Sequence, residues 1–310
     1  MADHGTSPSA TLLFVRLAAG LGLLLLALLT VAQPGRAQGW MTPAEVPRSA
    51  VFGGIGLGIQ GVDFGHQSLY AIGTSRNYAD GALVSAGSTW GPGSVDPSTP
   101  VTAAPAIRLG YFRHFGSSPW LWGFRVSYAD LLAEETVDNV GIPQDGAIGY
   151  AGSQQIVPFT GGVMVQSYQV RADSRFTAQP FIGRSLGPGF VYLGLGGTMT
   201  HATTELNGMV GYAEVDGQPV NVSGAPQNFQ SSGWVLGAGA TLGGTYFVTH
   251  DWFLDIAYSF SETATQVGRY MSSFINSTTA PGVTTTGNLY GQSSERIITH
   301  GVTITINRTF

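Results

Sequence analysis

A chain of 310 residues with only 10% charged residues and 45 glycines is not composed like a soluble cytosolic enzyme, because soluble domains usually carry about 25% charge and about 7% glycine. The absence of cysteine excludes a disulfide framework, a thiolate metal site and a cysteine nucleophile. All 13 basic residues are arginine, and a net charge of −5 without any basic run argues against a nucleic-acid partner.

The chain opens with an export signal. In "RLAAGLGLLLLALLTVAQPGRAQG", Arg16 precedes an apolar run from Leu17 to Val31, and small residues come next around Ala37. The run is shorter than the ~20 residues a helical span needs, and Pro34 and Gly35 end it. Residues 1–37 are therefore expected to be a signal peptide cut after Ala37, and 38–49 a short periplasmic segment.

From residue 50 onward, segment after segment alternates with period two, the mark of half-buried strands. In "VFGGIGLGIQG", Val51, Ile55, Leu57 and Ile59 share one face, and Gly54, Gly56, Gly58 and Gln60 the other. This stretch contains G-x-G-x-x-G, but no helix pattern opens after it, so a dinucleotide site is not expected. "AIRLGYF" sets Ile107, Leu109 and Tyr111 against Arg108, and "WLWGFRVSY" sets Trp122, Phe124, Val126 and Tyr128 against Arg125. In "SYQVRADSRFTAQPFI", Tyr168, Val170, Ala172, Phe176 and Ile182 oppose Arg171, Asp173 and Arg175. "FVYLGLGGTMT", "GWVLGAGATLGGTYF", "WFLDIAYSF" and "HGVTITINRTF" complete eight strands, with apolar sets such as Leu193 and Leu195, Leu236 and Leu242, Leu254 and Tyr258, and Ile304 and Ile306.

The links between strands alternate long and short. Segments 63–103, 130–160, 206–230 and 262–294 are long and rich in Gly, Ser, Thr, Asn and Pro, whereas 115–119, 186–189 and 249–251 are short. Such alternation predicts an all-β, eight-stranded antiparallel up-and-down barrel with four long loops on one rim. Ten strands remain open if "SLYAIG" and "GALVSAG" form a hairpin within the first loop.

The export signal, the eight alternating strands and a last strand "GVTITINRTF" ending on Phe310 resemble bacterial outer-membrane β-barrels of the eight-stranded OmpA/OmpX and opacity type. The resemblance covers essentially 50–310 and implies residence in the bacterial outer membrane, in contact with its lipid and lipopolysaccharide. It also implies that Val302, Ile304, Ile306 and Phe310 form the assembly signal offered to the barrel-assembly machinery, with Arg308 standing where the family usually has an apolar residue.

Inside such a barrel, Arg108, Arg125, Arg171, Asp173, Arg175 and Asp255 are expected to form one charge network, with long arginines filling space left by the glycines of other strands. No cofactor or metal site is expected. "GRSLG" at 183–187 matches a nucleophile elbow but leads into Pro188 and Gly189, which reads as a hairpin turn. His201, His250 and His300 lie in no catalytic spacing, so an enzyme is not expected. The expected role is structural and surface-interactive: loops displayed for adhesion, a host or cell-surface ligand, or envelope integrity. A small porin-like channel, or a passage for small or apolar molecules, is the alternative; a barrel enzyme acting on lipids comes third, with no motif pointing to it.

Overall fold

The structure, a computed structural model, describes residues 45–215 and 217–310. The expected signal peptide, its cleavage site at Ala37 and residues 38–44 lie outside the described residues. Every described element is a strand: β1 (Ser49–Asp63), β2 (Gln67–Ala79), β3 (Ala82–Val95), β4 (Val101–His114), β5 (Trp120–Tyr150), β6 (Ile156–Leu186), β7 (Gly189–Val215), β8 (Gln218–Asn221), β9 (Gln227–Phe247), β10 (Trp252–Thr263), β11 (Gln266–Ala280), β12 (Val283–Glu295) and β13 (Ile298–Thr309).

Eight of them close a cylinder. Antiparallel ladders run β4-β1-β13-β10-β9-β7-β6-β5, and β5 returns to β4 through the pairs from Ala106↔Ala129 to His114↔Leu121. The chain is a closed eight-stranded antiparallel barrel. Closure removes every edge along this cylinder, the condition for a sheet to sit in hydrocarbon. Its outer face is apolar: Ile55, Leu57, Ile107, Leu195, Leu242 and Ile304 are all exposed. Trp120, Trp252, Tyr246 and Phe310 ring the short-turn end of that band, and Tyr128, Phe176 and Trp234 ring the other. An apolar belt between two aromatic girdles is the exterior of a membrane-spanning barrel. Arg308 belongs to the lower girdle, where its guanidinium stacks on the rings of Trp252 and Phe310 at 5.8 and 5.6 Å. It thereby keeps the outward face of the last strand aromatic in character.

Above the band stands a second storey, where the sequence predicts loops. The link 130–160 is the continuation of β5 and β6 around a turn near 151–152, and 206–230 is largely the upper parts of β7 and β9. Segments 63–103 and 262–294 each contain a hairpin, β2–β3 and β11–β12. These join in the order β11-β12-β2-β3-β5-β6-β7, so the storey is a curved sheet seated on the barrel. The "SLYAIG"/"GALVSAG" hairpin thus forms as β2 and β3 but does not enter the lower wall, where β1 pairs directly with β4. β11 is the end strand of the ladder order; it meets β9 through side chains, not through a backbone ladder.

Candidate functional site

The interior is filled in layers. At the short-turn end, Phe52, Phe112, Phe190, Phe247 and Phe253 form a buried aromatic plug, with Phe112 centred 5.2 Å from Phe190 and 6.2 Å from Phe52. This plug sits at the short-turn ends of β1, β4, β7, β9 and β10.

Above it lies a polar belt. Arg108 Nη1 donates to Asp255 Oδ1 at 2.6 Å and to Thr305 Oγ1 at 3.3 Å. Tyr192 donates to Asp255 Oδ2 at 2.8 Å and accepts from Arg125 Nη1 at 2.7 Å, while Arg125 Nη2 donates to Gln179 Oε1 at 2.9 Å. Arg175 is held by Ser261, Thr299 and Gln60, and by no carboxylate among the described residues. The glycines of β1 face this layer. A Cβ at Gly54 would collide with the side chain of Asn307, and one at Gly56 with the carbonyl of Ile304. Their room is taken chiefly by the short polar side chains of β13, with Arg108 crossing over them to Asp255.

The sequence-derived network therefore needs correcting. Arg108, Arg125, Arg175 and Asp255 share the interior, but Arg171 and Asp173 do not. Register shifts fall between Asp130 and Ala133 on β5 and between Ala172 and Ser174 on β6, and Leu132 within the first takes φ 50°. One extra residue reverses which parity faces inward. Below the bulge, Arg175 and Gln179 face inward; above it, Tyr168, Val170 and Ala172 do, and Arg171 and Asp173 are turned out. Arg171 instead pairs with Glu205 at 2.6 Å on the outer face of the second storey.

The second storey is packed with apolar side chains, among them Val62, Leu131, Ile142, Val163, Val165 and Leu206. One carboxyl lies among them. Burial pushes Glu295 above the usual carboxylate range, partly offset by Thr204, which donates to Oε2 at 2.6 Å. Nearby, burial pushes the Tyr270 hydroxyl up to about 12, so it stays a proton-bearing partner of Ser293 at 2.8 Å. A carboxyl raised in the folded state holds its proton longer there than in the unfolded chain. Its contribution is complete below the unfolded value of about 4.3 and is lost as pH rises through the folded value. Glu295→Gln keeps the acceptor for Thr204 and removes that loss. The wild type should lose stability relative to this variant between acidic and neutral pH in urea unfolding; parallel profiles would contradict a buried, titrating Glu295.

At the top, a cavity of ≈ 290 Å³ opens between the strand ends, lined by Ile148, Phe159, Tyr212, Val222, Phe274 and Leu289 among others.

On the outside, the bulge has a second effect. Asp173 Oδ2 lies 2.9 Å from His201 Nδ1, and His201 Nε2 lies 3.2 Å from Ser232 Oγ. Ser232 also lies 3.0 Å from Thr203 Oγ1, its direct cross-strand partner, and the His201 ring meets Trp234 edge-on at 5.3 Å. No sequence pattern signals this cluster, because its members sit 28 and 31 residues apart on three strands and Asp173 reaches the outer face only through the bulge. Ser185 of "GRSLG" sits in the β6–β7 hairpin, whose turn residue Gly187 has φ 66°, and contacts His114 Nε2 at 2.7 Å. There Nδ1 faces the Arg48 carbonyl instead of a carboxylate.

No protein-family model matches the chain. No curated protein sequence matches it either. Among solved structures it is similar to Ail, the attachment invasion locus protein of Yersinia pestis, at 13% identity, 75% of this chain, 99% of that chain and TM-score 0.26. It is similar to Neisserial surface protein A at 11% identity, 74% of this chain, 95% of that chain and TM-score 0.22. The outer membrane protease OmpT from Escherichia coli matches at 10% identity, 88% of this chain, 99% of that chain and TM-score 0.21. At such values the likeness concerns fold alone, and the barrel rests on the chain's own ladder of hydrogen bonds.

Proposed function

We propose that the protein is a bacterial outer-membrane barrel with a structural and surface-interaction role, its second storey standing on the cell surface as a binding platform. The observation that supports this most is a row of exposed apolar side chains across four strands. Met271, Tyr290, Ile72 and Trp90 are direct partners in successive ladders and are 69%, 37%, 37% and 47% exposed. Val267 and Ile275 extend the row along β11. Such a patch above the membrane band costs solubility unless it is covered, and a strand without a ladder on one side can accept a partner strand. The layered filling of the interior weighs against the porin-like alternative, since plug, belt and core block the axis in series.

In this reading the apolar band meets outer-membrane lipid and lipopolysaccharide. Ile304 and Ile306 on the exposed face of β13, with half-buried Val302 and the exposed Phe310 just after the strand, serve as the signal for the barrel-assembly machinery. Both termini lie in the periplasm. Protease added to intact cells should therefore cut at the turns near 151–152 or 281–282; cutting confined to permeabilised cells would reverse the orientation.

The role itself is tested by adhesion. Cells displaying the wild type should bind a receptive surface, such as cultured host cells, at least ~10-fold better than cells displaying Met271→Glu with Ile275→Glu, since buried interface anchors each carry roughly 2 kcal/mol or more. Both side chains point outward, so folding is preserved. Equal adhesion at equal surface levels, or steady conductance of the wild type in planar bilayers, would overturn this reading.

A further inference from the structure

We propose that Asp173, His201 and Ser232 form a serine-hydrolase site on the outer wall of the barrel, taking carboxylic esters of membrane lipids as substrate. A carboxylate only accepts, so the Asp173–His201 contact places the ring proton on Nδ1 and leaves Nε2 free to accept from the Ser232 hydroxyl. Nucleophile, base and orienting carboxylate thus stand in the order that activates a serine, a constellation defined by geometry and not by chain order. Trp234 holds the ring from the side. The site is reachable, with His201 30% and Asp173 48% exposed.

Its height selects the substrate. His201 pairs directly across the ladder with Trp234, a member of the upper aromatic girdle, and Met199 lies one outward position lower. Outward positions on a strand repeat every ~7 Å, so Ser232 stands within one such step of the apolar band. That is the depth at which a lipid's ester linkage joins its acyl tail to its polar part, with the band itself receiving the tail.

The reaction closes without a co-reactant other than water. Ser232 Oγ bonds to the ester carbonyl carbon as its proton passes to His201 Nε2. The carbon–alkoxide bond then breaks, and the alcohol leaves with that proton. Water, deprotonated by the same nitrogen, hydrolyses the acyl-serine to a carboxylic acid and restores the serine. Thr203, whose hydroxyl lies 3.0 Å from Ser232 Oγ, can donate to that oxygen while the serine proton is directed at His201.

The test uses the full mature chain folded in detergent micelles, with folding checked by its altered gel mobility before and after boiling. An alkyl fluorophosphonate should label Ser232, located by peptide mass spectrometry, and the protein should hydrolyse p-nitrophenyl octanoate. Ser232→Ala should lose both label and turnover. His201→Ala should lose at least ~100-fold in rate, the usual worth of a positioned general base. Ser185→Ala should change neither. Because all three triad side chains lie outside the core, heat-dependent mobility should persist in each variant. No label on folded wild type, label undiminished in Ser232→Ala, or label on Ser185 alone would overturn the proposal; the adhesive role stands or falls separately.

Discussion

Asp255→Ala is expected to destabilise the folded barrel by ~3–5 kcal/mol, the usual cost of leaving a buried charge without its partner. Asp255 accepts from Arg108 and from Tyr192, and both members of the ion pair are less than a tenth exposed. Its loss leaves Arg108 Nη1 with Thr305 alone, in a side chain whose Nε already lacks a partner. It also frees Tyr192, through which Arg125 is tied to the belt. Asp173→Ala removes a carboxylate too, but one that is half exposed and paired with a histidine on the outer wall. Its effect should be about 0–1 kcal/mol, as for surface pairs. Urea unfolding followed by tryptophan fluorescence distinguishes them, and equal destabilisation would refute the separation of inner belt from outer wall.

That separation shows where the sequence stops being informative. The eight lower strands are legible because each crosses a two-sided environment, lipid without and packed interior within, so alternation survives even where glycine fills the inner face. By the same rule Arg108, Arg125 and Asp255 are expected to point inward, and the structure buries all three. The rule fails at 173, because parity carries across a strand only while the ladder has no extra residue. Nothing in "VRADSRF" announces the bulge; it arises where β6 shifts register against both neighbours, with Leu132 in a left-handed conformation opposite. Tyr168, Val170 and Ala172 then line the core of the second storey while Phe176 and Ile182 meet lipid, although all five share one parity class in the sequence.

The second storey is hidden for a different reason. Its strands are built from residues that usually mark loops, as in "GSTWGPGSV", where Gly91 and Gly93 lie on the inward face of β3. A Cβ at Gly91 would collide with the carbonyl of Pro143, so glycine is there for close strand approach, a need that only the neighbouring strand reveals. Composition reads such a stretch as a loop; the ladder makes it a wall. The candidate hydrolytic site sits at the junction of these two regimes, which is why neither the strand pattern nor a linear motif points to it.

Phe112→Ala should cost ~3–5 kcal/mol, as expected for emptying a large aromatic from a packed core. Phe112 is fully buried and centred 5.2 Å from Phe190, 6.2 Å from Phe52 and 6.4 Å from Phe247, so no single neighbour can close the gap without leaving another contact. The consequence for permeability is more specific than the loss of stability. Plug and polar belt act as seals in series: Tyr192 packs on Phe181 and Phe190 at 5.3 and 5.9 Å and at the same time donates to Asp255. Opening the plug alone exposes the belt to water without removing the Arg108–Asp255 bridge across the axis. Phe112→Ala should therefore remain non-conducting in planar bilayers, and so should Phe112→Ala with Asp255→Ala, because the apolar core of the second storey still closes the axis above the belt. Because Tyr192 links the layers, the two destabilisations should not add, and the double variant should lose less than their sum. If Phe112→Ala alone conducts, belt and core are no seals and the barrel is closed by its aromatic end only.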